Sequence, residues 1–303
     1  MRRTVRFRQL VESPDILTLP GAHDALALKL IERAGFAAAT CGGYSATAGL
    51  IGQPDVAQLG MSEMAEMYAR LCDSTDLPIL ADADTGYGGP TNAARTVRAY
   101  ERAGVAALFI EDQVSPKRCG HMDGKRVVPA AEMVEKLKAA LDARLDESMI
   151  IMARTDARAV EGLDAAIERA ELYREAGADL LFVEAPLGVE ELRRVCSEIA
   201  GPCLANNVEG GKTPVLSAVQ LEEMGFAVVT WPVSATYAIA HALRELYDVL
   251  LRDGTTTSFS NRMMDFEGFN NLIGLPALRA REGAWREEAE DLLESFGERG
   301  QGD

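Results

Sequence analysis

Thr91-Asn92-Ala93-Ala94-Arg95-Thr96-Val97-Arg98-Ala99-Tyr100-Glu101-Arg102-Ala103-Gly104-Val105-Ala106-Ala107-Leu108-Phe109-Ile110-Glu111-Asp112 reads as one complete structural unit. Apolar positions at helical spacing over Thr91–Ala103 predict a helix. Gly104 suits the left-handed position that ends one. The apolar run Ala107–Ile110 then predicts a strand buried on both faces, stopping abruptly at two acids. The unit recurs. Candidate strands are Ile16–Leu19, Ala37–Cys41, Pro78–Ala81, Ala107–Ile110, Met149–Ala153, Leu180–Val183, Pro202–Ala205 and Ala227–Trp231. The stretches between and after them with helical periodicity are Ala25–Ala34, Met61–Cys72, Thr91–Ala103, Ala130–Ala143, Leu163–Ala176, Val189–Ile199, Val215–Met224 and Ser234–Leu251. Eight such units in roughly 250 residues predict an α/β fold of the (β/α)8 barrel type. A doubly wound open sheet is the alternative, and the absence of G-x-G-x-x-G after the first strand counts against it. The expectation is a single domain over 1–303, with a barrel core at about 14–251 and a helical extension at about 252–296 that caps the barrel or packs on a neighbouring subunit.

Composition narrows the partners. The net charge of -16 repels nucleic acid and anionic membranes, so neither is expected. No apolar run approaches the ~20 residues of a membrane span. Met1-Arg2-Arg3 leads into no apolar stretch, so no secretory leader is expected. Cys41, Cys72, Cys119, Cys196 and Cys203 are scattered and odd in number, which fits reduced thiols in a cytoplasmic setting. An anionic substrate would need concentrated cations or a metal within so acidic a chain.

In a barrel the chemistry sits at the C-terminal strand ends. Those ends carry Cys41-Gly42-Gly43-Tyr44, Asp82-Ala83-Asp84, Glu111-Asp112, Arg154-Thr155-Asp156, Glu184 and Asn206-Asn207. Oxygen ligands from Asp82, Asp84 and Glu111 suit a hard cation, magnesium above all, and strand alternation would put Asp82 and Asp84 on one face. A lone aspartate here would more often cap a helix. Arg154 offers a planar fork for a substrate carboxylate, or else pairs with Glu184. Gly42 and Gly43 would leave backbone N–H groups open to an anion. Cys119 lies in the polar loop after Glu111, where Lys117, Arg118 and His121 would favour a thiolate able to donate or take a proton.

Together K-R-C-G-H at Lys117–His121, D-A-D-T-G-Y-G at Asp82–Gly88, E-D-Q at Glu111–Gln113, A-R-T-D-A at Ala153–Ala157 and E-G-G-K-T-P at Glu209–Pro214 resemble the isocitrate lyase/phosphoenolpyruvate mutase superfamily. The resemblance implies a barrel whose last helix is exchanged between subunits of a homotetramer, and Mg²⁺ or Mn²⁺ as cofactor. It makes Asp82 and Asp84 metal-binding, with Asp55 and Glu111 acting through metal-bound water. Gly42, Gly43 and Tyr44 match the cradle of a 2-oxo-acid carboxylate, and Gly120, Arg154, Glu184 and Asn206 match further substrate contacts. Lys117, Cys119 and His121 match the gating loop of the lyase-type members, whose cysteine is the acid/base. Tyr237 stands where methylisocitrate-cleaving members carry an arginine. The implied activity is metal-dependent C–C cleavage of a small anionic di- or tricarboxylate, a 2-alkylmalate or 2-methylisocitrate type, to a 2-oxo acid and a carboxylate. The alternatives are a carboxyphosphonoenolpyruvate phosphonomutase forming a P–C bond and an oxaloacetate hydrolase.

Overall fold

In the computed structural model, which describes residues 1–299, eight strands follow one another in the order the sequence predicts. They are β1 (Leu17–Pro20), β2 (Ala39–Cys41), β3 (Ile79–Asp82), β4 (Ala107–Glu111), β5 (Ile150–Thr155), β6 (Leu180–Val183), β7 (Leu204–Asn206) and β8 (Val228–Trp231). All pair in parallel, in two runs, β2-β3-β4-β5-β6 and β1-β8-β7. Single bridges Gly21↔Thr40 and Leu181↔Cys203 join the runs at both ends. The ring is closed, which excludes the open sheet.

Because side chains alternate along a strand, each one feeds two cores. Leu17, Leu19, Leu80, Phe109, Ile150, Met152, Phe182, Leu204 and Val228 fill the barrel interior. The alternate positions, among them Ile79, Ala81, Leu108, Ile110, Ile151 and Leu181, pack outward against the helices. A helix not anticipated from the sequence, Arg3–Val11, adds Phe7 and Val11 to the interior cluster and so plugs the N-terminal end of the barrel. Its mixed Arg and apolar composition hid it from a periodicity search. Gly43–Ile51 was missed too, being short, glycine-started and apolar on most sides.

The interior pattern continues to the other end. Two residues beyond Leu80, Phe109, Met152, Phe182 and Leu204 come Asp82, Glu111, Arg154, Glu184 and Asn206, on the same inward face. Register places Asp82 beside Phe109, and Glu111 beside Arg154. Polar residues therefore crown an apolar plug, and there is no room for a pore below them.

The chain divides into two units, Met1–Ala240 and His241–Asp303. The division falls earlier than the expected barrel end near 251, inside the helix Ser234–Asp253, none of whose residues is buried. The second unit holds the short helix Phe266–Leu272 and the long helix Leu275–Arg299, with Phe266, Leu292 and Leu293 exposed. Residues 300–303 of the expected single domain lie outside the described part. Among the described residues no helix is long and apolar enough to cross a membrane.

Candidate active site

The acid end of the site is set by backbone. Asp82 closes β3, and its Oδ2 accepts the Gly43 N–H at 2.7 Å while Oδ1 accepts the Asp84 N–H at 2.9 Å. Strand alternation does not reach Asp84, contrary to expectation: the strand has ended, and φ of +47° turns Asp84 back toward Asp82 through the left-handed region. Lys117, 3 % exposed, drops its ammonium between Asp84 Oδ1 and Asp55 Oδ2, 2.8 Å from each. Burial pushes the Asp84 carboxyl up to about 7 despite Lys117, and pushes Glu111 well above the carboxylate range. Although burial opposes its charge, Lys117 is held well above the ordinary ammonium range by Asp84, Asp82, Glu111 and Asp55.

This arrangement carries an excess of buried acid over cation. Four carboxyl groups, Asp55, Asp82, Asp84 and Glu111, share Lys117 and the flank of Arg154, and Glu111 Oε1 has no hydrogen-bond partner. Hard oxygen donors with unspent negative charge fit a divalent cation. They do not form a ready cage: among the described residues no three His, Cys, Asp or Glu groups converge as metal ligands. A cation here would complete its shell from substrate and water.

Arg154 is more constrained than its sequence suggested. Its Nε and Nη2 bond Asp156 at 2.9 and 3.0 Å, so the fork meant for substrate is closed by a neighbour two residues on. Nη1 lies 3.2 Å from Glu184 Oε2, and the guanidinium stacks over Phe182 at 5.1 Å. A ligand carboxylate can reach the guanidinium only by sharing Nη1 with Glu184. Burial opposes ionisation of Glu184, yet Arg154 and His121 hold its carboxyl far below the usual range. Asn206 Nδ2 donates to Glu184 Oε2 at 3.2 Å and leaves its own Oδ1 buried without a partner.

The loop Lys117–Lys125 lies down over these groups. Its base is zipped by the Val114 N–H to the Arg126 carbonyl and the Val128 N–H to the Asp112 carbonyl, both 2.8 Å. Gly120 is there for lack of a side chain: a Cβ would overlap Arg154 Nη2 and the Glu184 carboxylate. Cys119 is half-buried, and burial raises its thiol above the ordinary value, with Glu184 and Asp55 adding to the shift. The expected thiolate is therefore corrected to a thiol. Lys117 is spent on Asp55 and Asp84, and Arg118 reaches the Asp123 carbonyl at 3.0 Å. His121 Nδ1 accepts the Lys212 N–H at 3.0 Å, which leaves Nε2 as the site of the ring proton, 3.2 Å from Glu184 Oε1 but poorly aligned for a hydrogen bond.

These groups enclose a cavity of about 230 Å³, at the small end for a ligand site. Every expected site residue lines it except Asp84 and Glu111, which stand behind Lys117 and Arg154. The anion cradle is one donor short, since the Gly43 N–H serves Asp82. Tyr44 meets Tyr237 edge-on at 6.2 Å, and burial and Tyr44 push the Tyr237 phenol up to about 12. Sequence reasoning missed Asp156 and Lys125 as partners of the site. The D in A-R-T-D-A and the lysine four residues after His121 were the available signals.

A family model described as phosphoenolpyruvate phosphomutase matches residues 7–251. The chain belongs to this family. It is 44% identical over 282 residues to a 2,3-dimethylmalate lyase of Eubacterium barkeri, covering 93% of this chain and 98% of that one. It is 47% identical over 252 residues to a 2-methylisocitrate lyase of Bacillus subtilis, 82% of each chain. The crystal structure of a 2,3-dimethylmalate lyase superimposes with a TM-score of 0.89 at 35% identity, over 94% of this chain and 95% of that one. These relatives are named as lyases.

Proposed function

We propose that the protein is a carbon–carbon lyase that cleaves a 2-hydroxy dicarboxylate, of the 2-alkylmalate or 2-methylisocitrate type, into a 2-oxo acid and a carboxylate. The observation that carries this reading is the placement of the half-buried Cys119 thiol on the lid of a small cavity whose floor is an acid cluster. In such a cleavage the bond between the hydroxyl-bearing carbon and its neighbour breaks. The hydroxyl loses its proton and becomes the carbonyl of the 2-oxo acid, and the bonding pair stays on the other fragment, at the carbon beside its carboxylate. That carbon needs a proton from a donor held close and away from water.

Each part of the site has a task in this scheme. Asp55, which lines the cavity and engages Lys117 through Oδ2 alone, is suited to take the hydroxyl proton. Lys117 and the first-turn amides of Gly43–Ile51 supply positive potential for the 2-oxo-acid end. Arg154, His121 and Asn206 line the part of the cavity left for the second carboxylate, which would share their Nη1, Nε2 and Nδ2 donors with Glu184. Cys119 hands its proton to the departing carbon, and the closed loop keeps water from competing. Asp82, Asp84 and, through bound water, Asp55 and Glu111 are the residues to hold Mg²⁺ or Mn²⁺, which would acidify the hydroxyl and screen the 2-oxo acid. A P–C bond-forming reaction has no step for a thiol donor at carbon. The assembly is proposed to be a cytoplasmic homotetramer, the exposed apolar side chains of the second unit being its contact surface.

The test is direct. Purified protein with Mg²⁺ is offered alkylmalates, 2-methylisocitrate and oxaloacetate, and 2-oxo-acid release is followed. Release from a hydroxy dicarboxylate that disappears with Cys119→Ser supports the reading. Turnover undiminished in that variant, or no release from the whole panel, overturns it.

A further inference from the structure

Lys125 lies outside the K-R-C-G-H segment, at the return limb of the loop, and the reaction scheme gives it no task. Its side chain is nonetheless 1% exposed. An ammonium buried to that degree is stable only with partners that replace its hydration. Lys125 Nζ has two. It lies 2.8 Å from Asp156 Oδ1, and it donates to the carbonyl of Gly120. One partner belongs to the end of β5 and the other to the loop apex, next to the thiol.

Asp156 is the same carboxylate that closes the fork of Arg154, through Oδ2 to Nε and Oδ1 to Nη2. It is fully buried, its surroundings being Arg154, Lys125 and the Asp112–Thr155 pair. Gly120 is therefore held from two sides. Its Cα rests on Arg154 and Glu184 with no space for a Cβ, and its carbonyl is tied to Lys125. The loop base, one residue beyond Lys125, is already fixed by the Val114–Arg126 hydrogen bond. The lysine thus spans from a fixed stem back to the apex.

We infer that Lys125 is a positioning residue for the proton donor: its ammonium, shared by the Asp156 carboxylate and the Gly120 carbonyl, is the clasp that seats the loop apex on Arg154 and so holds Cys119 at the cavity. Lifting the loop breaks the bond to Gly120, exposes the thiol and strips a cation from Asp156. The inference rests on the lyase reading only where turnover is measured. Loop closure is read separately.

The experiment uses the full-length protein with Mg²⁺. Iodoacetamide alkylation of each cysteine is timed by mass spectrometry in wild type, Lys125→Met and Lys125→Arg. Loss of one charge-assisted hydrogen bond should speed alkylation of Cys119 roughly tenfold in Lys125→Met, with Cys41, Cys72, Cys196 and Cys203 unchanged. Lys125→Arg, which keeps the charge, should fall between. In turnover, Lys125→Met should lower kcat by more than it changes KM. An unchanged Cys119 rate, or all five cysteines accelerating together, overturns the clasp. Should Lys125→Met fail to fold, Lys125→Gln is read against the same two criteria. A wild type with no lyase activity but with the selective Cys119 response would refute the reaction and keep the clasp.

Discussion

The hydroxyl of Tyr68 accepts the backbone N–H of Asp82 at 2.8 Å and donates to the carbonyl of Cys41 at 2.7 Å. Tyr100 adds a second phenol, donating to the Asp82 carbonyl at 3.1 Å. Main-chain groups at the end of β3 are thus satisfied by side chains from the helices Met61–Ser74 and Pro90–Ala103. The Tyr68 bridge also fixes Cys41 against Asp82, so that Gly43, two residues on, meets the Asp82 carboxylate.

Tyr68→Phe keeps the ring and removes the bridge. It leaves the Asp82 N–H and Cys41 carbonyl buried without that partner, a cost of about 1–3 kcal/mol. Denaturant unfolding should show that loss, and Mg²⁺ binding by calorimetry should weaken as Asp82 loosens. Unchanged stability in the variant would show that the bridge is dispensable.

Cys119→Ser removes the acidic proton donor and leaves the floor of the cavity intact. Turnover should fall by ~10²–10⁴-fold, the usual contribution of a positioned acid. Mg²⁺ affinity should hold within about twofold, since no carboxylate is touched. Because burial raises the thiol, alkylation of Cys119 in wild type should follow a pH profile with its midpoint above that of a free cysteine. A midpoint below it would restore the thiolate.

Gly120→Ala should block seating of the loop, because the new methyl meets Arg154 and Glu184. The methyl meets only the polar crown of the barrel and leaves the apolar plug below it unaltered, so the melting temperature should stay near wild type while kcat falls at least tenfold, the measure of a misplaced acid. Equal turnover would mean that the loop does not close as the structure places it.

Cation binding should tighten as pH rises. A cation needs Asp84 as carboxylate, and in the metal-free site that group is raised to about 7. Below this value the proton occupies the ligand and must be released on binding. Above it Asp84 has no proton to give up. Calorimetry in buffers of different ionisation enthalpy should therefore show proton release from Asp84 at about pH 6 that fades by about pH 8. No buffer dependence at pH 6 would contradict the raised Asp84.

The sequence by itself determined the barrel, because eight short apolar runs alternating with helical periodicity leave few other closed arrangements. It also determined which residues crown the strands, since the period of two that buries Phe109 and Met152 must turn Glu111 and Arg154 inward as well. What it could not determine were charges and hands that depend on neighbours distant in the chain. Asp84 joins Asp82 through a left-handed turn and not through alternation. The fork of Arg154 is taken by Asp156, and Lys117 is taken by Asp55 and Asp84 from 62 and 33 residues away. Burial and lost counter-charges then make Cys119 a thiol. A pKa is set by burial and by the charges within a few ångströms, and only the folded chain fixes those distances.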